Sequence, residues 1–203
     1  MKAKIISLSI LFLFILIIQV EGKDTTGNKI IVKEWLTAGS FIQPLPVFND
    51  FEGKVFQTKD LLSFNEIDLS SWWVKENDYL YWNNKKKSKW VIQKTEPDEL
   101  YFNVDDFNQP HIYYALFYLD VKKFLKATLD FESCQMFKVF LNGKEFTTKS
   151  RVDSVLIEDI CKKGKSGKEI SLERGKHIIV VKSIFDPSSN ASWNLKATVS
   201  FDA

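Results

Sequence analysis

The dipeptide Asn142-Gly143, set between Phe137-Lys138-Val139-Phe140-Leu141 and Lys144-Glu145-Phe146, constrains this chain more than any other stretch. Asn-Gly accepts positive φ at both central positions of a type I′ turn, whose twist matches that of two flanking antiparallel strands. The stretch is therefore predicted to be a β-hairpin, with Leu141 opposite Lys144, Phe140 opposite Glu145 and Val139 opposite Phe146. Phe137, Val139 and Leu141 share one apolar face. A two-residue hairpin with such a face points to an all-β core.

The N-terminal residues read as something other than fold. Lys2 and Lys4 precede an apolar run from Ile5 to Val20, followed by Glu21-Gly22-Lys23. A basic start, an apolar centre and a small-residue exit make residues 1–22 a secretory signal peptide, and the run is shorter than the ~20 apolar residues of a transmembrane helix. No cysteine follows it, which argues against a lipoprotein anchor. Removing residues 1–22 from the 203 leaves 181, enough for one domain spanning 23–203, and takes the formal charge from +2 to +1. A near-neutral chain gives no global reason to bind nucleic acid, and after cleavage no stable membrane span is expected. The expected location is secreted, periplasmic or at the cell surface. Cys134 and Cys161 are then candidates for a disulfide; the sequence is compatible with both the paired and the free state.

Within residues 23–203, fifteen of the chain's seventeen Phe, with six Tyr and six Trp, promise a large core. Ile30–Leu36 is predicted as a first strand, with a turn over Thr37–Phe41 and a single helical turn at Asp60–Phe64 capped by Asp60. Residues 30–100 form an N-terminal extension with Trp-rich loops. In it, Tyr79–Trp82 and Lys89–Gln93 are strands joined by the polar loop Asn83–Lys87, and Leu100–Val104 is strand-like. Residues 100–203 carry the clearest period-2 signal. His111–Leu119 is apolar on both faces and is expected at the centre of a sheet. Ala127–Glu132 has one wet face, Val152–Leu156 is a further strand, and Glu158–Lys168 is a charged loop. His177–Phe185 and Trp193–Phe201 complete the set. Many short strands and almost no helix predict two packed antiparallel sheets.

The order Tyr114–Leu119, Ala127–Leu129, Lys138–Lys144, Leu172–Lys182 and Trp193–Leu195 resembles the galactose-binding-domain-like β-sandwich (jelly-roll) superfamily, over about residues 100–203. Val32–Phe41 resembles the "I-x-x-W-L-h-x-G-P-F" opening of modules at the front of secreted bacterial prolyl-oligopeptidase-like and TolB-like hydrolases, with Ser40 in place of the usual Pro. The first resemblance implies a sandwich that binds ligands through loops and often holds a structural calcium. The second implies an accessory domain, or a truncated remnant, of a secreted peptidase or other hydrolase.

Chemistry is sparse. There is no Gly-x-Ser-x-Gly elbow, no His-Glu-x-x-His helix and no phosphate-cradling glycine loop. His111 and His177 each open a strand, where capping or core-edge roles are expected, so a catalytic site is not. Asp98, Asp105, Asp106 and Glu132 are the hard oxygen donors available for calcium; no other cofactor is implied. Flat rings present an apolar face to a pyranose while amides and carboxylates fix its hydroxyls. Trp72, Trp73, Asp78, Tyr81, Asn83, Asn84 and Lys85 are the candidate ligand residues on that ground, with Trp82 and Trp90 expected at the core or its edge. The lysines at 85–87 and 162–168 are solvated loop tips or attract acidic glycans or lipids. The expected function is an exported, non-catalytic module recognising carbohydrate or an extracellular protein. A hydrolase accessory domain and a protein–protein adaptor are the alternatives.

Overall fold

The computed structural model describes residues 17–20, 29–45, 53, 55–64, 73–82, 86–152, 164–189 and 191–201, with backbone only for 17–20, 164 and 165. Fourteen strands follow in chain order: β1 Ile17–Val20, β2 Lys29–Ile31, β3 Glu34–Ile42, β4 Tyr79–Trp82, β5 Lys86–Lys89, β6 Val91–Lys94, β7 Leu100–Tyr101, β8 His111–Val121, β9 Leu125–Ser133, β10 Met136–Leu141, β11 Lys144–Lys149, β12 Gly164–Leu172, β13 Gly175–Phe185 and β14 Asn194–Phe201. Sheet one runs β11-β10-β13-β8-β3-β6, and sheet two β12-β9-β14-β2 with β7 pairing β14. The pairing within both paths is antiparallel, and the two sheets pack face to face as a β-sandwich. β1 adds to β8 in parallel, opposite Tyr118–Val121, beyond the point where β3 stops pairing.

The two-faced apolar pattern of β8 places it where it was expected, between β13 and β3. Its Ala115, Phe117, Leu119 and Val121 enter the core between the sheets, meeting Leu129 and Phe131 of β9, Val139 of β10, Ile179 and Val181 of β13 and Leu195, Ala197 and Val199 of β14. Its Ile112, Tyr114, Leu116 and Tyr118 enter a second core on the other side of sheet one. That second core is closed by a 3₁₀ segment, Thr58–Ser63, and by the β4–β5 hairpin, which supply Leu61, Leu62, Leu80 and Trp82. Trp82 stacks on Phe41 of β3 at 4.9 Å, and Ser88 of β5 donates to Gly39 O and accepts from Gly39 N. The molecule is thus a sandwich with a covering layer on one sheet.

Asn142 and Gly143 have φ of 49° and 78°, the signature of the expected turn. Leu141 pairs with Lys144 and Phe140 with Glu145, but Val139 faces Thr147, not Phe146. Phe146 is the extra residue of a bulge; its ring packs against the core while Thr147 is buried and bonds Ser166 of β12. Asn142 also prolongs the β10–β13 ladder, since Ile178 N donates to its side-chain oxygen.

Other expectations need correction. Ile30–Leu36 is not one strand: the chain crosses from sheet two to sheet one at Val32–Lys33, with Val32 N donating to Ala197 O. Thr37–Phe41 does not turn but continues β3, because Thr37, Ala38 and Phe41 all have buried places to fill. Asp60 lies inside the 3₁₀ segment, and its carboxylate accepts from Gln57 N at 2.8 Å. Lys86–Lys89 is a strand, not loop, paired with β4, while Val91–Lys94 crosses to β3. Only Leu100–Tyr101 of the expected Leu100–Val104 is strand. The Gly164–Lys168 part of the charged stretch is strand β12, paired along β9. The strand expected at Val152–Leu156 lies mostly outside the described residues, and Val152 itself is not in a strand.

Gly143→Val is expected to destabilise the protein by about 1–2 kcal/mol, the cost of a left-handed conformation for a residue with a branched Cβ. A lower urea midpoint with unchanged slope and far-ultraviolet circular dichroism would report it; an unchanged midpoint would contradict the turn assignment.

Candidate functional site

The covering layer carries the exposed rings. Along β4 the side chains alternate as a strand requires: Leu80 and Trp82 point into the second core, and Tyr79 and Tyr81 point out, 44% and 61% exposed. Their ring centroids are 6.3 Å apart. Across the hairpin Tyr79 pairs with Lys89 and Tyr81 with Lys87, so all four side chains share the outward face. The Lys87 ammonium lies 4.6 Å and the Lys89 ammonium 5.5 Å from the Tyr79 centroid, within cation–π range.

Just before β4, the turn Lys75–Asp78 is closed by Asp78, whose carboxylate accepts from Lys75 N at 2.8 Å and whose carbonyl accepts from Trp90 N. This turn presents Trp73, 60% exposed yet stacked on Tyr118 of β8 at 5.5 Å and 12°. Tyr118 holds the segment from below: its hydroxyl accepts from Val74 N and donates to Val74 O, at 2.8 and 2.9 Å. Burial raises the Tyr118 phenol above its ordinary value; the Val74 contact works the other way, and the Asp78 charge raises it further. The Lys176 ammonium stands 5.8 Å from the Trp73 ring.

Of the candidate ligand residues, Trp73 and Tyr81 are exposed, and Asp78 serves the turn. Trp72, Asn83, Asn84 and Lys85 lie outside the described residues. Trp82 and Trp90 are core residues at 2% and 1% exposure. Tyr79, Lys87, Lys89 and Lys176 are members of this surface that the candidate set omitted. The alternation Tyr-Leu-Tyr-Trp contained the signal for Tyr79; that for the lysines required the pairing of β4 with β5.

The four carboxylates named for calcium do not converge, and among the described residues no group of three His, Cys, Asp or Glu side chains is placed to hold a metal ion. Asp98 is ion-paired with Lys33 and lies 3.9 Å from Lys196, and the Lys33 hydrogen bond holds its carboxyl below the usual range. Glu132 sits near the end of β9, opposite Lys196 and Lys165 in the ladders. Asp105 is near enough to Tyr113 to add to the rise that burial imposes on that phenol. Asp106 accepts from Asn108 N in its own turn.

Both histidines have structural partners. His111, buried between Phe185 and Trp193, donates from Nε2 to Asp106 O at 2.7 Å, which leaves Nδ1 to accept from the Ser40 hydroxyl. His177 donates from Nε2 to Glu173 O and accepts at Nδ1 from the Asn142 amide, bracing the β10–β11 turn. Cys134 is buried and disulfide-bonded; Cys161, the only other cysteine of the chain, lies outside the described residues.

No protein-family model matches the chain, and no curated protein does. Solved structures with a partial likeness include a β-glucosidase from Kluyveromyces marxianus in complex with glucose, at 10% identity and TM-score 0.48 over 63% of this chain and 16% of that one. A family 35 carbohydrate binding module from Clostridium thermocellum matches at 13% identity and TM-score 0.33, over 50% of this chain and 86% of that one. A GH31 α-xylosidase from Xanthomonas citri matches at 14% identity and TM-score 0.35, over 87% of this chain and 21% of that one. The chain therefore spans a minor part of the two hydrolases' lengths.

Two outcomes are expected. A phenol raised by burial contributes stability that is fully present below the ordinary tyrosine value of about 10 and is lost as pH climbs through the folded value. The emission of Trp73, taken as the difference between wild type and Trp73→Phe, should therefore hold steady to about pH 10 and change above it. In Tyr118→Phe that alkaline step should vanish; a step that persists would place its origin elsewhere. Separately, non-reducing peptide mapping should recover Cys134 and Cys161 in one linked pair, whereas two alkylatable thiols would overturn the pairing.

Proposed function

We propose that this chain is an exported, non-catalytic carbohydrate-binding module whose ligand surface is the outer face of the covering layer. The observation that carries the reading is Trp73: a large, exposed indole held in place by a parallel stack on a buried, hydrogen-bonded tyrosine. A ring fixed in that way offers an apolar face to a sugar without losing side-chain entropy on binding. Tyr79 and Tyr81 extend the aromatic surface along β4, and hydroxyls and ammonium groups beside the rings are suited to sugar hydroxyls. The disulfide at Cys134 supports export, since such bonds persist in oxidising compartments.

A glycan array read with the full chain tests the reading. Trp73→Ala and Tyr81→Ala should each weaken binding about tenfold, corresponding to roughly 1.4 kcal/mol per ring; Tyr81→Ala should leave the thermal midpoint nearly unchanged, and Trp73→Ala should lower stability by about 0.5–1.5 kcal/mol through loss of its stack on Tyr118. Trp82→Ala, by contrast, removes a buried ring and should cost about 3–5 kcal/mol of stability. Absence of binding across the array, or equal binding by the Trp73 and Tyr81 variants, would refute the proposal.

A further inference from the structure

The same surface carries charge as well as rings, and its charge is not internally neutralised. Lys33, Lys94, Lys122 and Lys138 each face a carboxylate within 4 Å. Among the described residues Lys87, Lys89 and Lys176 have no carboxylate partner; each instead stands over an aromatic ring of the proposed ligand surface. The hairpin geometry makes this arrangement a built one. Ser88 anchors β5 to Gly39 on the inner side, and strand alternation then commits Lys87 and Lys89 to the outer side beside Tyr79 and Tyr81. Trp73 with Lys176 repeats the pairing of ring and ammonium on the neighbouring segment. An aromatic face beside an unpaired ammonium is complementary to a sugar ring that bears an anion. A flat apolar contact holds the ring, and a charge-assisted hydrogen bond holds the anion.

Resting on the carbohydrate reading, we infer that the ligand is an anionic polysaccharide, one whose sugars carry carboxylate or sulfate groups, engaged by Lys87 and Lys89 while Tyr79 and Tyr81 contact the rings. An anionic membrane is the less favoured occupant. The exposed large side chains of this face are tyrosines and Trp73, with polar edges, and the hairpin projects no exposed aliphatic side chain that would enter the acyl region.

Affinity electrophoresis of the full chain tests the inference, in gels containing polygalacturonate, dextran sulfate or neutral dextran, with sedimentation against phosphatidylserine vesicles alongside. The expected result is retardation by at least one anionic polymer, about tenfold tighter than by neutral dextran and weakening as salt rises; which polymer retards identifies the anion. Lys87→Gln with Lys89→Gln should erase that preference, bringing retardation by the anionic polymer down to that by neutral dextran. Tyr81→Ala, which changes no charge, should weaken binding to the anionic polymer as well. Lys126→Gln, on β9 of sheet two, should change nothing. Retention of full anionic binding by Tyr81→Ala would mean simple ion exchange and would overturn the inference, as would preferential binding to the vesicles. Equal binding to neutral and anionic polymers, or insensitivity to the double lysine change, would overturn it while leaving the carbohydrate reading intact. Binding to no polysaccharide here or on the array would remove both.

Discussion

A buried ammonium ties the covering layer to the sandwich. Lys182 lies on β13, in sheet one, at 1% exposure, on the side facing away from sheet two. Its Nζ donates to the carbonyls of Leu61 and Phe64, at 2.6 and 2.8 Å, where the 3₁₀ segment ends. Leu61 O also accepts from Phe64 N at the end of the segment, and a buried carbonyl left without any partner would cost about 1–3 kcal/mol. One long side chain therefore adds a second partner at Leu61, serves Phe64 O, and ties Leu61 and Leu62 to the face where Val180 and Ile184 flank Lys182. The need for such a layer comes from β8: a central strand apolar on both faces forces both sides of sheet one to be dry, and sheet two covers only one of them.

The covering layer has consequences for the surface. A hairpin laid over a sheet buries one side of each strand and leaves the other in water. Leu80 and Trp82 meet Phe41 and Tyr114 beneath, so Tyr79 and Tyr81 are held rigidly above without being needed for packing. Trp73 is fixed by the same logic, through a tyrosine that belongs to the core. Net charge is a poor guide here. The chain is nearly neutral as a whole, and some lysines meet carboxylates, as Lys33 with Asp98 and Lys138 with Glu145, while among the described residues Lys87 and Lys89 of the β4–β5 face stand at an aromatic ring instead.

What was legible in the sequence was what depends on local backbone chemistry. The Asn142-Gly143 turn follows from which residues tolerate positive φ, and the central place of β8 follows from an apolar pattern with no wet side. Features set by partners distant in the chain were not legible. The bulge at Phe146 exists because Thr147 meets Ser166, and no local rule foretells it. The sheet switch at Val32–Lys33 leaves the alternation of apolar residues undisturbed, so it has no signature. Lys86–Lys89 looked like a loop because its side chains are polar; it is a strand because Tyr79–Trp82 supplies the ladder. The carboxylates are kept apart for a similar reason: Asp98 is drawn to Lys33, sixty-five residues away, while Asp105 and Asp106 stay in their own connection.

The candidate site divides along the same line. That Trp73 belongs to the candidate surface, and that Trp82 and Trp90 lie at the core or its edge, was legible in the tryptophan-rich stretch. The hairpin pairing that sets Lys87 and Lys89 beside the tyrosines came only with the fold. This bears on how the site would work. An aromatic ring serves recognition when its position is fixed before the ligand arrives, because ordering a loose side chain costs about 0.5–1.5 kcal/mol, comparable to what a single stacking contact returns. On this chain the fixing is done by residues that face inward: Tyr118 beneath Trp73, Leu80 and Trp82 between the tyrosines' backbone positions, Ser88 under the lysines. The selectivity of the surface is therefore set one layer below it, by the core that the two-faced strand β8 demands.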